Sequence, residues 1–283
     1  MLAATFFGDL AANYRLHARH SDYYRRLDAE TRRTFLEARP AFEKGEAMVL
    51  AEFGPIALPY MKMGAIDSIN LFGLDELIMF AYYARNRGRY RRAADIGANL
   101  GLHSILLAKC GINVDAYEPD PKHFAKLQEN LRMNGVADAC TPHMSAVSDK
   151  SGTTKFVRVL GNTTSSHIFG AKPNPYGDLE YFDVSVEDVR DVARTVDFMK
   201  IDAEGHEAVI LKALPIAAWG RIDAFVEIGS AENAREVFDH FDRSGVNTYS
   251  QKRGWERVER IDHMPTGYKE GGIFVSTKSR MNW

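Results

Sequence analysis

The chain has 283 residues, of which 45% are hydrophobic and 26% charged, so it can bury one sizeable core with an appendage or two modest domains. Its 36 basic and 38 acidic residues leave a net charge of −2, which excludes a global electrostatic attraction to nucleic acid or to an anionic membrane. With two cysteines, Cys110 and Cys140, neither a disulfide framework nor a zinc cluster is indicated, and we expect a reducing, cytoplasmic environment.

The N-terminal region differs in pattern from the rest of the chain. Residues 1–45 are charged and helix-prone, with acid–base pairs four residues apart such as Asp28 and Arg32, which is typical of a solvated helix. Residues 47–73 hold short β-like runs broken by glycine and proline, which predict one or two hairpins before a helix at about 74–86. We therefore predict a helical and β-hairpin cap over residues 1–70 and a main domain over residues 71–283. We expect neither a signal peptide nor a membrane span.

From residue 92 onwards, short apolar strands alternate with amphipathic helices. The predicted strands are residues 92–98, 113–119, 140–147, 196–202 and 222–228. The predicted helices are residues 102–111, 121–135, 206–215 and 232–245. This alternation predicts an α/β fold with a mostly parallel sheet covered by helices on both faces. Residues 247–261 and 271–278 read as hairpin strands that add antiparallel strands at one edge.

The first of these strands ends in a glycine turn that begins with an acid, "DIGANLG" at residues 95–101. Glycines in such a turn permit unusual backbone angles and a close approach to a ligand at the start of the next helix. Glu118 ends the second strand about 20 residues later, where an acid holds ribose hydroxyls in nucleoside-binding α/β folds. The spacing D-x-G-x-x-x-G fits a dinucleotide pyrophosphate poorly and favours S-adenosylmethionine, with Asp95 facing its methionyl ammonium directly or through water. The alternative is a glycine turn that holds no ligand.

Four segments of the chain resemble the FkbM family of S-adenosylmethionine-dependent methyltransferases: "DIGANLGLHSILLA", "AYEPDPKHFAKLQENLRMNG", "MSAVSDKSG" and "FMKIDAEGHEAVILKAL", in this order. The resemblance covers roughly residues 93–230, and "KIDAEGHE" is its most specific part. It implies a Rossmann-like class I methyltransferase sheet and O-methylation, commonly of sugars or of polyketide and other natural-product hydroxyls. Carried over by position, it implies cofactor contacts at Asp95, Gly97, Ala98, Asn99, Gly101 and Glu118, and an adenine pocket near Ser145 and Ala146.

The fourth predicted strand brings candidate catalytic side chains to the carboxyl edge of the sheet. Alternation places Lys200 and Asp202 on one face, with Glu204 just beyond the strand. His206 begins the next helix, where the helix dipole favours a neutral imidazole that can accept a proton. In one interpretation, His206 or a carboxylate is the general base and Lys200 orients the acceptor or stabilises charge. The structural alternatives are that His206 only begins the helix and that Lys200 only pairs with a neighbouring carboxylate.

In a second interpretation, a metal ion binds at the same edge of the sheet. Asp202 and Glu204 are joined there by Glu227, which lies near the end of the fifth strand. Carboxylate oxygens are the ligands that Mg²⁺ prefers, and the ion would acidify a bound hydroxyl. The sequence leaves the choice between a protein base and Mg²⁺ open.

A long segment at residues 161–189 separates the third and fourth strands. It is first polar and then rich in glycine and proline, so it predicts either a binding loop or lid for a polyhydroxylated acceptor or a disordered surface loop. Asn162 and the hydroxyl side chains that follow would supply hydrogen bonds, and Tyr176, Tyr181 and Phe182 would supply aromatic faces. The "NPY" at 174–176 departs from the N-P-P-Y box of enzymes that methylate nucleobases or amides, and it lies in this loop.

Taken together, the patterns predict an O-methyltransferase that transfers a methyl group from S-adenosylmethionine to a hydroxyl, most often of a sugar in a nucleotide sugar, glycan or glycosylated natural product. The alternatives are an acceptor hydroxyl on a polyketide or other small molecule, a nicotinamide-dependent oxidoreductase, and a non-catalytic binding module that retains the fold. A nucleic-acid partner is not expected. The sequence leaves the acceptor and the oligomeric state, a homo-oligomer included, open.

Overall fold

The computed structural model describes residues 2–172, 174, 175 and 177–283. The helices in this part of the chain are α1 (Ala4–Ala12), α2 (Asp22–Glu43), α3 (Leu74–Arg85), α4 (Leu102–Lys109), α5 (Pro121–Met133), α6 (Val189–Val192), α7 (Glu207–Ala213) and α8 (Ala231–Phe241). The strands are β1 (Met48–Leu50), β2 (Gly54–Ile56), β3 (Arg92–Ile96), β4 (Asn113–Tyr117), β5 (Cys140–His143), β6 (Ser145–Ser148), β7 (Gly152–Val159), β8 (His167–Ile168), β9 (Leu179–Asp188), β10 (Phe198–Ile201), β11 (Asp223–Val226), β12 (Asn247–Ser250), β13 (Glu256–Arg257) and β14 (Ile273–Ser276).

An eight-stranded sheet organises the structure, in the order β13-β12-β14-β11-β10-β3-β4-β5. The five strands from β11 to β5 are parallel, whereas β14 runs antiparallel to both β11 and β12. At the edge, β13 is antiparallel to β12. The predicted α/β fold with a mostly parallel sheet and antiparallel strands at one edge is confirmed. The strand order reverses between β3 and β10, and open α/β sheets bind ligands outside the carboxyl ends of the strands at this point.

The alternation predicted for β10 matches its two faces. Phe198 packs on one face with the N-terminal helices, in a core that also contains Phe225 and Trp255. Met199 and Ile201 face the other side, where they pack with α7 and α8. All three β10 side chains are fully buried because helices cover both faces of the sheet.

The N-terminal helices pack onto the sheet. Buried side chains of α1, α2 and α3 belong to the same core as Phe198, and the Trp255 indole N–H donates to His17 Nδ1 at 2.9 Å. The predicted hairpin and following helix are present as β1–β2 and α3. The domain boundary at residue 70 stays a prediction. No helix in the described part of the chain is long and apolar enough to cross a membrane.

Two predictions between residues 140 and 189 were wrong. The strand predicted over 140–147 is broken at the exposed Met144 into β5 and β6, which lie in different sheets. The second half of the predicted loop 161–189 contains β9, which pairs with β6 and β7 in a four-stranded sheet of order β6-β9-β7-β8. Val184 and Val186 of β9 pack in a small core, while Ser185 between them is exposed, which is the alternation of a strand. The prediction missed it because a stretch rich in glycine and proline precedes it.

Candidate functional site

The glycine turn between β3 and α4 lies at the point where the strand order reverses. Gly97 has φ +77°, and a Cβ atom there would overlap the backbone carbonyl oxygen of Asp202, beyond the end of β10. Gly101 has φ +84°, and its Cβ atom would overlap the Leu127 side chain. Asn99 also has a positive φ of +52°, a conformation that costs energy outside glycine. The turn therefore requires both glycines and holds a strained backbone.

Asp95 lies beneath this turn and has no exposed surface. Its Oδ2 accepts a hydrogen bond from Ser104 Oγ at 2.6 Å, and its Oδ1 lies 3.9 Å from the Lys200 ammonium. The predicted direct contact with a methionyl ammonium would require this buried carboxylate to become accessible. The cofactor role of Asp95, which includes a contact through water, stays a prediction.

Glu118 follows β4 and ties it to the glycine turn. One carboxylate oxygen accepts the backbone N–H of Asn99 and the other accepts that of Asp120, both at 2.8 Å. Burial raises the pKa of Glu118 to about 8, against the effect of the two N–H groups, which favour the charged form. Since each carboxylate oxygen can accept more than one hydrogen bond, capacity remains for the hydroxyls of a ribose. That ribose contact stays a prediction.

Ser145 and Ala146 begin β6 and are both buried. The Ser145 hydroxyl donates to Glu187 Oε1 of β9 at 2.7 Å, which joins β6 to its neighbour. Their predicted place in an adenine pocket stays a prediction.

Two cavities adjoin at this edge of the sheet. The smaller, of about 40 Å³, lies against the glycine turn and is lined by residues 97–100, Leu102 and His103 among others. The larger, of about 270 Å³, lies between α2, α3 and the carboxyl ends of β10 and β11. Both are lined by Glu76, Lys200 and Asp202, so these three residues mark the place where the cavities meet.

The Lys200 ammonium links the turn to the end of β10. Its Nζ donates to the Gly97 carbonyl oxygen at 3.1 Å and to Asp202 Oδ2 at 3.2 Å. Burial alone would lower the pKa of Lys200, but the charges of Asp202 and Asp95 raise it above its ordinary value, so the group stays protonated. The structure thus contains the predicted ion pair with Asp202, and a direct part of Lys200 in catalysis stays a prediction.

Asp202 and Glu227 form a strongly coupled pair of carboxyl groups. Burial opposes ionisation of Asp202, yet the Lys200 charge holds its pKa below the ordinary value. The negative charge of Asp202, together with burial, raises the pKa of Glu227 well above its usual range. Asp202 therefore carries the charge and Glu227 retains a proton.

The predicted Mg²⁺ site finds no support in this arrangement. Asp202 is paired with Lys200 and Glu204 forms an ion pair with Lys172, so two of the three carboxylates already have cationic partners. Among residues 2–172, 174, 175 and 177–283, no group of three or more histidine, cysteine or acidic side chains is placed to hold a metal ion.

Glu204 and His206 lie beyond β10 but line neither of the two cavities. Burial raises the pKa of Glu204 to about 7. His206 Nε2 lies 2.8 Å from the Ser148 hydroxyl of β6, and burial lowers the pKa of His206. The His206 side chain is directed toward the four-stranded sheet. A general-base role for His206 stays a prediction.

The polar part of segment 161–189 bonds mainly within itself. Thr164 Oγ1 donates to Asn162 Oδ1 at 2.7 Å, and Ser166 Oγ donates to the Thr163 carbonyl oxygen at the same distance. The structure does not bring these side chains to the large cavity, and Tyr176 lies outside the described residues. The described side chains of this segment therefore do not line the large cavity, and its role in binding the acceptor stays a prediction.

The N-terminal region, by contrast, supplies a wall of the large cavity. The predicted Asp28–Arg32 pair is present at 2.8 Å, but both residues line the cavity rather than a purely solvated face. Tyr24 of α2 and Glu76 of α3 also line it. Residues 1–70 show no part of the family pattern, so a motif could not have indicated this role.

The parallel sheet, the acid-led glycine turn and the acid after β4 define a class I methyltransferase fold. The sequence profile described as Methyltransferase FkbM domain matches residues 95–245, more than half of the chain. The chain belongs to the FkbM methyltransferase family, which confirms the resemblance seen in the sequence.

Known relatives of the chain include a curated hexuronic acid methyltransferase, AglP of Haloferax volcanii, which is 26% identical over 145 residues. That match covers 50% of this chain and 58% of AglP, so it spans just over half of the relative's length. The methyltransferase FkbM of Methylobacillus flagellatus is 14% identical, with a TM-score of 0.39 over 88% of this chain and 60% of that chain. The O-methyltransferase TomG of Streptomyces achromogenes, solved with SAM, is also 14% identical, with a TM-score of 0.37 over 69% of this chain and 77% of that chain.

Proposed function

We propose that this chain transfers a methyl group from S-adenosylmethionine to a hydroxyl group of a saccharide. The observation that carries the proposal is the pair of adjoining cavities, one against the glycine turn and one beyond it, that meet at Glu76, Lys200 and Asp202. The first cavity, of about 40 Å³, has room for only a small part of a donor, and that part would face an acceptor in the second cavity at the boundary. Such alignment is a large part of what a methyl-transfer enzyme must provide.

The residues around the turn fit S-adenosylmethionine. Two buried side-chain oxygens there, Asp95 Oδ1 and Asn99 Oδ1, have no hydrogen-bond partner among the described residues. Unpartnered acceptors in a buried site are costly, and they suit a ligand that carries an ammonium and hydroxyl groups. When bound, S-adenosylmethionine supplies a methyl group that its sulfonium already activates. Glu118 and the turn would hold the ligand, and Lys200 would fix the turn against β10.

The large cavity fits a polyhydroxylated acceptor. Its volume of about 270 Å³ is near the lower end of small-molecule sites, roughly 300–1,000 Å³. Tyr24, Trp255 and Tyr268 offer aromatic surfaces for the C–H faces of a sugar ring, while Asn70 and Gln251 offer amide hydrogen bonds. The printed function of AglP, methylation of a hexuronic acid, supports a saccharide acceptor, but the carboxylate of a hexuronic acid has no counterpart in the charges of this cavity, so the support extends to the sugar class alone.

The charges that line the cavity favour a hydroxyl over an anionic acceptor group. Three cationic side chains are present, and each faces a carboxylate: Arg19 with Asp75, Arg32 with Asp28, and Lys200 with Asp202. Two further acids, Glu76 and Glu227, line the same cavity. No excess of positive charge is left among these lining residues to attract a carboxylate or a phosphate.

The test measures cofactor binding first and methyl transfer second. Calorimetry is expected to show binding of S-adenosylhomocysteine and no binding of NAD, and the reverse result would favour the oxidoreductase alternative. Nucleotide sugars, glycans and lipid-linked saccharides are then incubated with S-adenosylmethionine, alongside phenolic and polyketide hydroxyl compounds. We expect mass spectrometry to find one added methyl group on a saccharide. Binding without turnover of any acceptor would favour a non-catalytic module.

A further inference from the structure

We propose that Glu76 is the group that removes the proton of the acceptor hydroxyl. This inference rests on the proposed function and assigns a catalytic residue that lies outside the segment matched by the family profile, residues 95–245. Glu76 lies in the first turn of α3, and its side chain is 33% exposed, so it is accessible to a ligand.

Position is the first argument for Glu76. It lines both the small cavity at the glycine turn and the large cavity, a property it shares with Lys200 and Asp202. If donor and acceptor fill the two cavities, the transferred methyl group crosses the boundary at these three residues. A general base must reach the acceptor oxygen at that boundary, within hydrogen-bond distance.

The state of the other carboxyl groups is the second argument. Among the five acids that line the large cavity, Asp28, Asp75 and Asp202 each form an ion pair with an arginine or lysine, which weakens a carboxylate as a base. Glu227 lines the large cavity but not the small one, so it lies away from the boundary where the methyl group would cross. Within the described residues, Glu76 forms no ion pair with a lysine or an arginine, and its carboxylate contacts His103.

The contacts of His103 keep the Glu76 carboxylate oriented. Burial holds the pKa of Tyr83 well above its ordinary value, so the Tyr83 hydroxyl stays protonated and donates a hydrogen bond to His103 Nδ1, 2.9 Å away. An Nδ1 atom that accepts leaves the proton of a neutral imidazole on Nε2. Nε2–H then donates to Glu76 Oε2 at 2.8 Å. One carboxylate oxygen is thus fixed by His103, and Oε1 is left for the acceptor.

The reaction balances with Glu76 as the base. The proton of the acceptor O–H passes to the Glu76 carboxylate while the acceptor oxygen forms a bond to the methyl carbon. The bond between that carbon and sulfur breaks, and its electron pair remains on sulfur. The products are the methyl ether, S-adenosylhomocysteine and a protonated Glu76, which releases its proton to solvent through the large cavity.

Two cofactor analogues test whether Glu76 lies at the position of the transferred methyl group, and neither test requires a known acceptor. S-adenosylhomocysteine lacks the transferred methyl group, and sinefungin carries an amine at the position that the methyl group occupies. Both share the same adenosine and the same amino-acid end. A carboxylate at the transfer position therefore strengthens the binding of sinefungin, through a charge-assisted hydrogen bond, without affecting S-adenosylhomocysteine.

Calorimetry of Glu76→Gln compares the two ligands. The amide can still accept from His103, so the fold is retained. We expect affinity for S-adenosylhomocysteine within about twofold of wild type and affinity for sinefungin reduced about tenfold or more. The control Glu129→Gln makes the same change at a half-exposed carboxylate of α5 that lines neither cavity, and we expect it to leave both affinities unchanged.

Three results would overturn the assignment. An equal loss of affinity for both ligands in Glu76→Gln would place Glu76 at the methionyl end of the cofactor. Unchanged affinity for sinefungin would place it away from the transfer position. Failure of wild type to bind either ligand would contradict the proposed function itself, and the assignment with it. With an acceptor from the panel, Glu76→Gln is expected to lower kcat about a hundredfold with KM little changed, and wild-type kcat would also overturn the assignment.

Discussion

The ammonium of Lys200 donates a hydrogen bond to the carbonyl oxygen of Gly97, 3.1 Å away, across the point at which the strand order reverses. The same ammonium pairs with Asp202 at 3.2 Å and lies 3.9 Å from Asp95. One buried cation therefore compensates two carboxylates and fixes the turn that we propose holds the cofactor.

Replacement of this cation is expected to destabilise the protein. Lys200→Met leaves Asp95 and Asp202 without their partner in a buried site, and we expect the free energy of unfolding to fall by about 3–5 kcal/mol. Urea denaturation measures the change. Lys212→Met, which breaks an ion pair with Glu236 between two half-exposed side chains, is the control, and we expect a loss of at most about 1 kcal/mol there. Equal losses in the two variants would contradict a structural role for the Lys200 cluster.

A Cβ atom at Gly97 is expected to displace the turn. Gly97→Ala combines a strained φ of +77° with overlap on the Asp202 carbonyl oxygen, so we expect affinity for S-adenosylhomocysteine to fall by at least about tenfold. Gly88→Ala is a matched control, because Gly88 has φ +78° and a Cβ atom there meets nothing within 4 Å. We expect Gly88→Ala to cost about 1 kcal/mol of stability with unchanged affinity. Similar affinities in the two variants would show that the close approach to Asp202 is unimportant.

Glu118 is expected to make stability depend on pH. Its pKa is about 8 in the folded protein, against about 4.3 for an unperturbed glutamate, so the folded state holds this proton more tightly. As pH rises from about 4.5 to 8, the unfolded state ionises first, and the contribution of Glu118 to the free energy of unfolding falls. Glu118→Gln removes this term. Denaturation at pH 5.5 and pH 8 should therefore show the stability of wild type, relative to the variant, decreasing with pH. An increase would contradict the assigned direction of the pKa shift.

Arg158 of β7 is expected to support the Glu118 loop from the four-stranded sheet. Its guanidinium makes two hydrogen bonds to Asp120, at 2.5 and 2.7 Å, and both side chains are buried. Arg158→Met leaves Asp120 unpaired, so we expect a loss of about 3–5 kcal/mol in the free energy of unfolding. Arg253→Met, at a half-exposed pair with Glu256, is the control and should cost at most about 1 kcal/mol. Thermal denaturation of both variants makes the comparison, and a negligible loss in Arg158→Met would argue against this support.

The sequence predicted the glycine turn and the faces of β10 because both depend on local patterns. The turn requires a positive φ at Gly97, which glycine adopts without strain. The side chains of Phe198 and Met199 point to opposite faces because successive residues of any β-strand do so. Strand β9 was missed although Val184 and Val186 alternate with polar residues as in a strand, because this short alternation follows a stretch rich in glycine and proline that is typical of a loop.

The walls of the large cavity could not be predicted in the same way. An acid–base pair such as Asp28 and Arg32 has the same spacing whether its helix faces water or a cavity. Glu76 meets His103 only after α3 packs against α4, and nothing in the spacing of 27 residues between them indicates contact. The cavity is a product of tertiary packing between the N-terminal helices and the sheet.

The most direct test of the account is methyl transfer by the wild-type protein from S-adenosylmethionine to the saccharide panel, followed by mass spectrometry of both products. The account predicts one added methyl group on a saccharide hydroxyl and one equivalent of S-adenosylhomocysteine. Transfer to a polyketide or phenolic hydroxyl with no transfer to any saccharide would contradict the proposed acceptor, and the absence of S-adenosylhomocysteine with every acceptor would contradict the proposed activity.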